Sequence, residues 1–175
     1  MIVPFHEAEK VVGGLRAELD RSAAWGAGVP AHVTVLYPFL APERIDETVL
    51  TVLAEAVNTV PAFDVTFSRV AWFGVTAVWL APEPDQPFRA LTSAVWSRFP
   101  DHAPYGGAHP DSVPHLTIGH DVPVDLLRAA GDAVRPQLPV RAHVNAARVI
   151  EGSREPASWH TVAELPLGPL PTAPG

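Results

Sequence analysis

The sequence has no cysteine, one lysine and one methionine in 175 residues. Without cysteine there is no disulfide, no thiolate nucleophile and no Cys-ligated zinc or iron–sulfur centre. Basic residues are scarce. Lys10 and eleven Arg face 19 acidic residues, and the net charge is −7. Such a surface does not hold long nucleic acid by neutralising its phosphates, but it leaves room for a small anion in a local pocket. No apolar run reaches the roughly 18 residues of a membrane span. Residues 1–9 lack a basic stretch followed by an apolar one, so no signal peptide is evident. The simplest expectation is a cytoplasmic protein with no membrane and no extended nucleic-acid partner.

What is present fits a globular chain. Hydrophobic residues make up 47% and charged residues 18%, which separates it from disordered sequences, and the length suffices to bury a core without staples. Apolar spacing predicts helices over 7–20, 43–58, 85–99 and 124–135. The first contains Gly13-Gly14, which weakens it by roughly 1 kcal/mol per glycine. Strands are expected over 2–5 (as an edge), 32–39, 63–72, 76–81, 115–120, 140–151 and 158–166, with 63–72 and 76–81 forming a hairpin. Residues 22–30 read as a loop of small residues. Residues 100–114 form a long loop rich in Pro, Gly and His, a length that is often functional. From Leu167 on the chain is Pro-rich and expected to fray, with 168–175 a flexible tail on one domain spanning 1–175.

The two halves repeat a pattern. Each runs from a Pro-x-His or Pro-His strand start, through a helix, to a segment from Pro to Gly: Pro61 to Gly74 in the first half, Pro139 to Gly152 in the second. Each half opens on His-x-Thr-x, seen as His32-Val33-Thr34-Val35 and His115-Leu116-Thr117-Ile118. Composition alone gives roughly 0.5 such matches by chance, so spacing by itself is weak. The context strengthens it: both copies start a strand, both open a repeat half, and both interleave branched aliphatics. On a strand, residues i and i+2 share a face. His and Thr therefore project together while Val33, Val35, Leu116 and Ile118 turn to a core. Two facing lobes would bring two His and two Thr into one cleft.

Two imidazoles across a cleft suit phosphodiester cleavage. A neutral His takes a proton from the attacking hydroxyl, and a protonated one supplies the leaving oxygen. The Thr hydroxyls can donate to the non-bridging oxygens, where charge grows in the transition state. This scheme needs no metal.

These motifs resemble those of the 2H phosphoesterase superfamily, which includes the bacterial 2′-5′ RNA ligases and cyclic phosphodiesterases. The resemblance runs from about residue 2 to residue 167. It takes in Tyr37-Pro38-Phe39 after the first motif and Pro104-Tyr105-Gly106-Gly107 before the second. It implies a bilobal α+β fold, with two antiparallel-rich sheets facing a central cleft and helices outside. It also implies metal-independent action on 2′,3′-cyclic phosphates or 2′-5′ linkages, with His32 and His115 catalytic and Thr34 and Thr117 on the phosphate. Where some ligase-type members carry a basic residue three positions after the second Thr, this chain has His120.

Further candidates carry weaker signals. Tyr37 and Phe39 either stack on a nucleobase or close their strand against the core. Tyr105 either reaches over the cleft or packs its loop. Arg141 alternates with apolar neighbours, on a strand face that either flanks the cleft or is solvated; guanidinium matches phosphate in two-point geometry. His102 and His109, with Asp101 and Asp111, match no zinc spacing, so neither metal nor cofactor is expected. The expected enzyme is a monomer acting on a small nucleotide or RNA end. The alternatives are a nucleotide- or phosphometabolite-binding module without turnover, and a 2′-5′ RNA ligase.

Overall fold

The computed structural model describes residues 1–20, 29–109, 112–153, 155 and 158–170. Most of the expected 22–30 loop, with Trp25, and also Asp111 lie outside the described residues. The elements in chain order are β1 (Ile2–Pro4), α1 (His6–Leu19), β2 (His32–Thr34), α2 (Glu47–Asn58), β3 (Phe63–Phe73), β4 (Ala77–Glu83), α3 (Gln86–Arg98), β5 (Leu116–His120), α4 (Val124–Val134), β6 (Val140–Val144), β7 (Ala146–Glu151) and β8 (His160–Pro166). Among the described residues no helix is long and apolar enough to cross a membrane.

Each helix forms where its apolar stripe finds the sheet. In α2 the Asp46 carboxylate accepts the Val49 N–H at 2.9 Å, which caps the first turn, and Leu53, Ala56 and Val57 are buried. α3 buries Phe88, Leu91 and Val95. α4 buries Leu127, Ala130 and Val134. In α1 the buried stripe is Ala8, Val12 and, against expectation, Arg16. Val11, Leu15 and Leu19, expected on the same face as Val12, are only partly buried against the core.

The strands form one curled, antiparallel sheet in the order β6-β3-β4-β5-β2-β1-β7-β8. Val3, Val33, Phe67, Leu80 and Leu116 are almost fully buried and join the residues of all four helices in one core. The helices therefore cover one face of the sheet and leave the other for a site. The two lobes read from the repeat are present, joined along the motif strands β2 and β5 through the pair Val33–Leu116.

Four expectations are corrected by long-range contacts. β1 is internal rather than an edge, because β2 and β7 flank it. The segment 140–151 is two strands, broken at Asn145: β6 pairs with β3, whereas β7 pairs with β1 and β8. The closing strands of the repeat are exchanged, since β3 of the first half lies beside β4 and β7 of the second half lies beside β1. Strand β2 stops at Thr34 instead of running to Phe39, because the Val35 and Leu36 N–H groups both turn to the Met1 carbonyl.

The expected fraying does not hold at Leu167 and Gly168; residues 171–175 of the expected tail lie outside the described residues. Leu167 is buried, the Gly168 N–H donates to Val60 O at 2.8 Å, and the Ala62 N–H donates to Gly168 O at 2.9 Å. A Cβ at Gly168 would lie 2.4 Å from the backbone oxygen of Asn58, a contact that only main-chain movement relieves. Gly168→Ala is expected to destabilise the fold by roughly 1–3 kcal/mol, read as a lower midpoint in urea unfolding; an unchanged midpoint would show that this segment carries no stability.

Candidate active site

The seam between the lobes sets the geometry. Val33 and Leu116 are partners in an antiparallel pair and both are 0% exposed. Continuing that register by one residue each way sets His32 across from Thr117 and Thr34 across from His115. Because alternate residues share a face, all four side chains lie on the face opposite the core, as neighbours on adjacent strands. The structure thus gathers the four motif residues into one array with approximate two-fold symmetry.

Both imidazoles are held in the same way. His32 Nδ1 lies 2.8 Å from Pro30 O, and His115 Nδ1 lies 2.7 Å from Val113 O, in each case the carbonyl two residues earlier. A carbonyl can only accept, so Nδ1 carries the hydrogen and Nε2 is left for proton exchange.

Their electrostatic surroundings differ. Burial, followed by the Arg16 charge, pushes His32 down from its ordinary 6.5 to about 4, against the opposing effects of the Pro30 hydrogen bond and Asp20. His115 is also lowered, first by burial and then by His120, while its bond to Val113 works the other way. His115 sits against an aromatic wall. Its ring centroid is 4.9 Å from Phe73 and 5.9 Å from Trp79, which stack on each other at 4.7 Å. Trp79 is the cross-strand partner of Thr117.

Tyr105 reaches the array. Its phenol faces the hydroxyls of Thr34 and Ser112, which work to lower its pKa, but burial is the larger effect and raises it, so it stays protonated. Its backbone is in the left-handed region at φ 53°, followed by Gly106 and Gly107 at φ 62° and 81°, a conformation that costs a non-glycine residue about 1–3 kcal/mol. Its N–H donates to Tyr37 O at 2.6 Å, which ties the loop to the segment after the first motif. A cavity of about 430 Å³ opens beside Thr34, between α3 and this loop, walled by Arg89, Trp96, Tyr105 and Pro114. A second, of about 280 Å³, lies beside Trp79 and Arg69 and shares Val113 and Pro114 as a wall.

The remaining sequence candidates are placed elsewhere. Tyr37 is 56% exposed and meets Tyr105 through its backbone. Phe39, partly buried, packs 5.1 Å from Phe99 and 5.4 Å from His102, the second of the two readings its sequence position allowed. Arg141 is exposed on the edge strand β6, opposite Thr66, three strands away from β5, and does not join the array. Spacing offered no signal for Phe73, Trp79 or Arg16, because each reaches its histidine from an element distant in sequence.

A curled antiparallel sheet with helices packed on one face is the LigT-like class of α+β fold. The model of the 2′-5′ RNA ligase superfamily matches residues 4–156, and the chain belongs to that superfamily. Solved structures agree in fold. Escherichia coli LigT complexed with 3′-AMP matches with a TM-score of 0.59 at 17% identity over 95% of each chain. LigT complexed with ATP gives 0.57 at 18%, also over 95% of each, and a structure described as a phosphoesterase gives 0.59 at 17%, over 95% of this chain and 96% of that one. Among curated proteins no sequence matches.

The depressed His32 pKa predicts a pH dependence of stability. Between about pH 6.5 and about pH 4 the unfolded chain binds a proton at His32 that the folded state resists, so stability is present above this window and falls as pH drops through it. His32→Gln is expected to flatten that loss, measured by urea unfolding at about pH 7 and about pH 5; an identical loss in the variant would place the titration elsewhere.

Proposed function

We propose that this protein is a metal-independent phosphodiesterase that opens a 2′,3′-cyclic phosphate or a 2′-5′ linkage in a small nucleotide or RNA end. The observation that carries the reading is the pair of imidazoles, each held through Nδ1 by a carbonyl, on adjacent strands with a threonine beside each. The family supports phosphoester chemistry, and the LigT structures described as complexes with 3′-AMP, phosphate and ATP support a nucleotide ligand.

In this reading His32 is the base. Burial and Arg16 keep its ring neutral at ordinary pH, so Nε2 accepts the proton of an attacking water. The new P–O bond forms as the bond to one ribose oxygen breaks. His115, protonated when the phosphate's negative charge draws a proton to it, donates that proton to the departing oxygen. Thr34 and Thr117 donate hydrogen bonds to the non-bridging oxygens, with the protonated Tyr105 phenol beside Thr34 as a further donor. For a 2′-5′ linkage the neighbouring ribose hydroxyl replaces water as nucleophile. The nucleoside occupies the cavity beside Thr34, whose 430 Å³ accommodates a base and sugar. A net charge of −7 favours a confined ligand over a long polyanion, and we take the enzyme to be a cytoplasmic monomer.

His32→Ala and His115→Ala should each lower kcat for 2′,3′-cyclic nucleotide hydrolysis by roughly 10²–10⁴-fold, with unchanged circular dichroism. Wild-type rates in either variant would sink the mechanism. Thr34→Val and Thr117→Val should each cost roughly 10²-fold in kcat. EDTA is expected to leave the rate unchanged, and strong inhibition by the chelator would point to a metal-dependent reaction.

A further inference from the structure

The two glycines of α1 have different surroundings. A Cβ at Gly14 would meet nothing within 4 Å, whereas a Cβ at Gly13 would fall 2.3 Å from Glu9 Oε1 and 2.9 Å from its Cδ. The space at Gly13 is taken by the Glu9 carboxylate. Its Oε2 accepts the backbone N–H of Ala31, the residue that precedes His32. Ala31 is fully buried, and its carbonyl accepts the Phe5 N–H at 2.8 Å. Arg16, only 6% exposed, sets Nη1 3.9 Å from the same Glu9 oxygen, and Asp20 flanks its guanidinium.

We propose that Glu9, Gly13 and Arg16 of α1 form a positioning device for His32, in which Glu9 anchors the Ala31 N–H, Arg16 holds Glu9, and Gly13 leaves the room that the carboxylate needs. The device answers a weakness of the strand. β2 is three residues long and meets β5 through one pair, so its leading end takes little direction from that side of the ladder. Glu9 supplies the missing restraint and gives a buried N–H its acceptor. Arg16 has a second effect, because its charge helps to keep the nearby imidazole neutral. The other titratable groups around His32 are Asp20, which follows α1, and the Met1 amino group, which precedes β1 and whose pKa burial lowers to about 5, with His115, just before β5, on the other side of the seam. A helix that tolerates Gly13 in its interior thereby trades local helix propensity for an aligned base.

The proposal rests on the reading of His32 as the base. The test compares G13A, G14A, E9A, E9Q and R16Q in the full chain, using kcat and KM for a 2′,3′-cyclic nucleotide across pH, thermal melts, and NMR titration of the His32 ring. G14A should melt higher, with kcat unchanged. G13A and E9A should lose roughly tenfold in kcat with little change in KM. E9Q, which keeps an acceptor oxygen, should recover most of the rate. In R16Q the His32 ring should titrate at higher pH than in the wild type. Wild-type kcat in both G13A and E9A, an equal loss in G14A, or an unmoved His32 titration in R16Q overturns the proposal. Full activity in His32→Ala would instead overturn the reading of the site, and the NMR titration reports on the device without reference to turnover.

Discussion

The pairing of Val33 with Leu116 is the contact on which the site depends. It joins the two lobes of the sheet and sets the four motif side chains against one another. Both residues are excluded from solvent, and burying a side chain of this size is worth roughly 1.5–3 kcal/mol. A slip of one residue in either strand would turn an aliphatic into the cleft and a histidine into the core. The hydrophobic core thus enforces the register that sets the four motif side chains together, and the face that carries them is held in place from its opposite side.

Around this seam positive charge is confined. Arg69 is paired with Glu83, Arg89 with Asp85 and Arg148 with Glu164. These arginines border the cavities near the motifs with their charge already balanced. In the proposed reaction a phosphate at the array would meet imidazoles, hydroxyls and a phenol, the cavity-lining arginines among the described residues being already paired. That arrangement agrees with the net charge of −7 and with a ligand small enough to sit inside the cleft.

The approximate symmetry of the two motifs stops at their surroundings. His32 lies in a buried pocket beside the Arg16 charge, whereas His115 rests on the rings of Phe73 and Trp79. One duplicated sequence unit thus yields two imidazoles with the same tautomer in different electrostatic surroundings, the asymmetry on which the proposed acid and base roles rest. Regions that sequence periodicity handled well are those decided by local contacts: the spans of α2, α3 and α4 and the β3–β4 hairpin. It failed at Asn145, where one apolar run serves two strands because its halves find different neighbours. It also failed at Arg16, a charged residue in a buried stripe that faces Glu9 two helical turns before it and Asp20 one turn after it. At Phe39 the neighbouring Phe99, 60 residues distant in the chain by numbering, decided that the ring packs.

By itself the sequence determined the α+β class, the duplicated His-x-Thr units and the face on which each His and Thr would stand. Those follow from alternation along a strand and from the burial of aliphatics, which are local properties. Only the tertiary structure decided that the two units are adjacent strands in antiparallel register, that β3 and β7 change places between the lobes, and that a helix glycine makes room for the carboxylate behind His32. Each of these depends on which distant segments share a hydrogen-bond ladder or a few cubic ångströms of space. The lone lysine and the missing cysteine had narrowed the chemistry to imidazole, hydroxyl and guanidinium groups, and folding then selected among them by bringing four to one seam and leaving Arg141 at the edge.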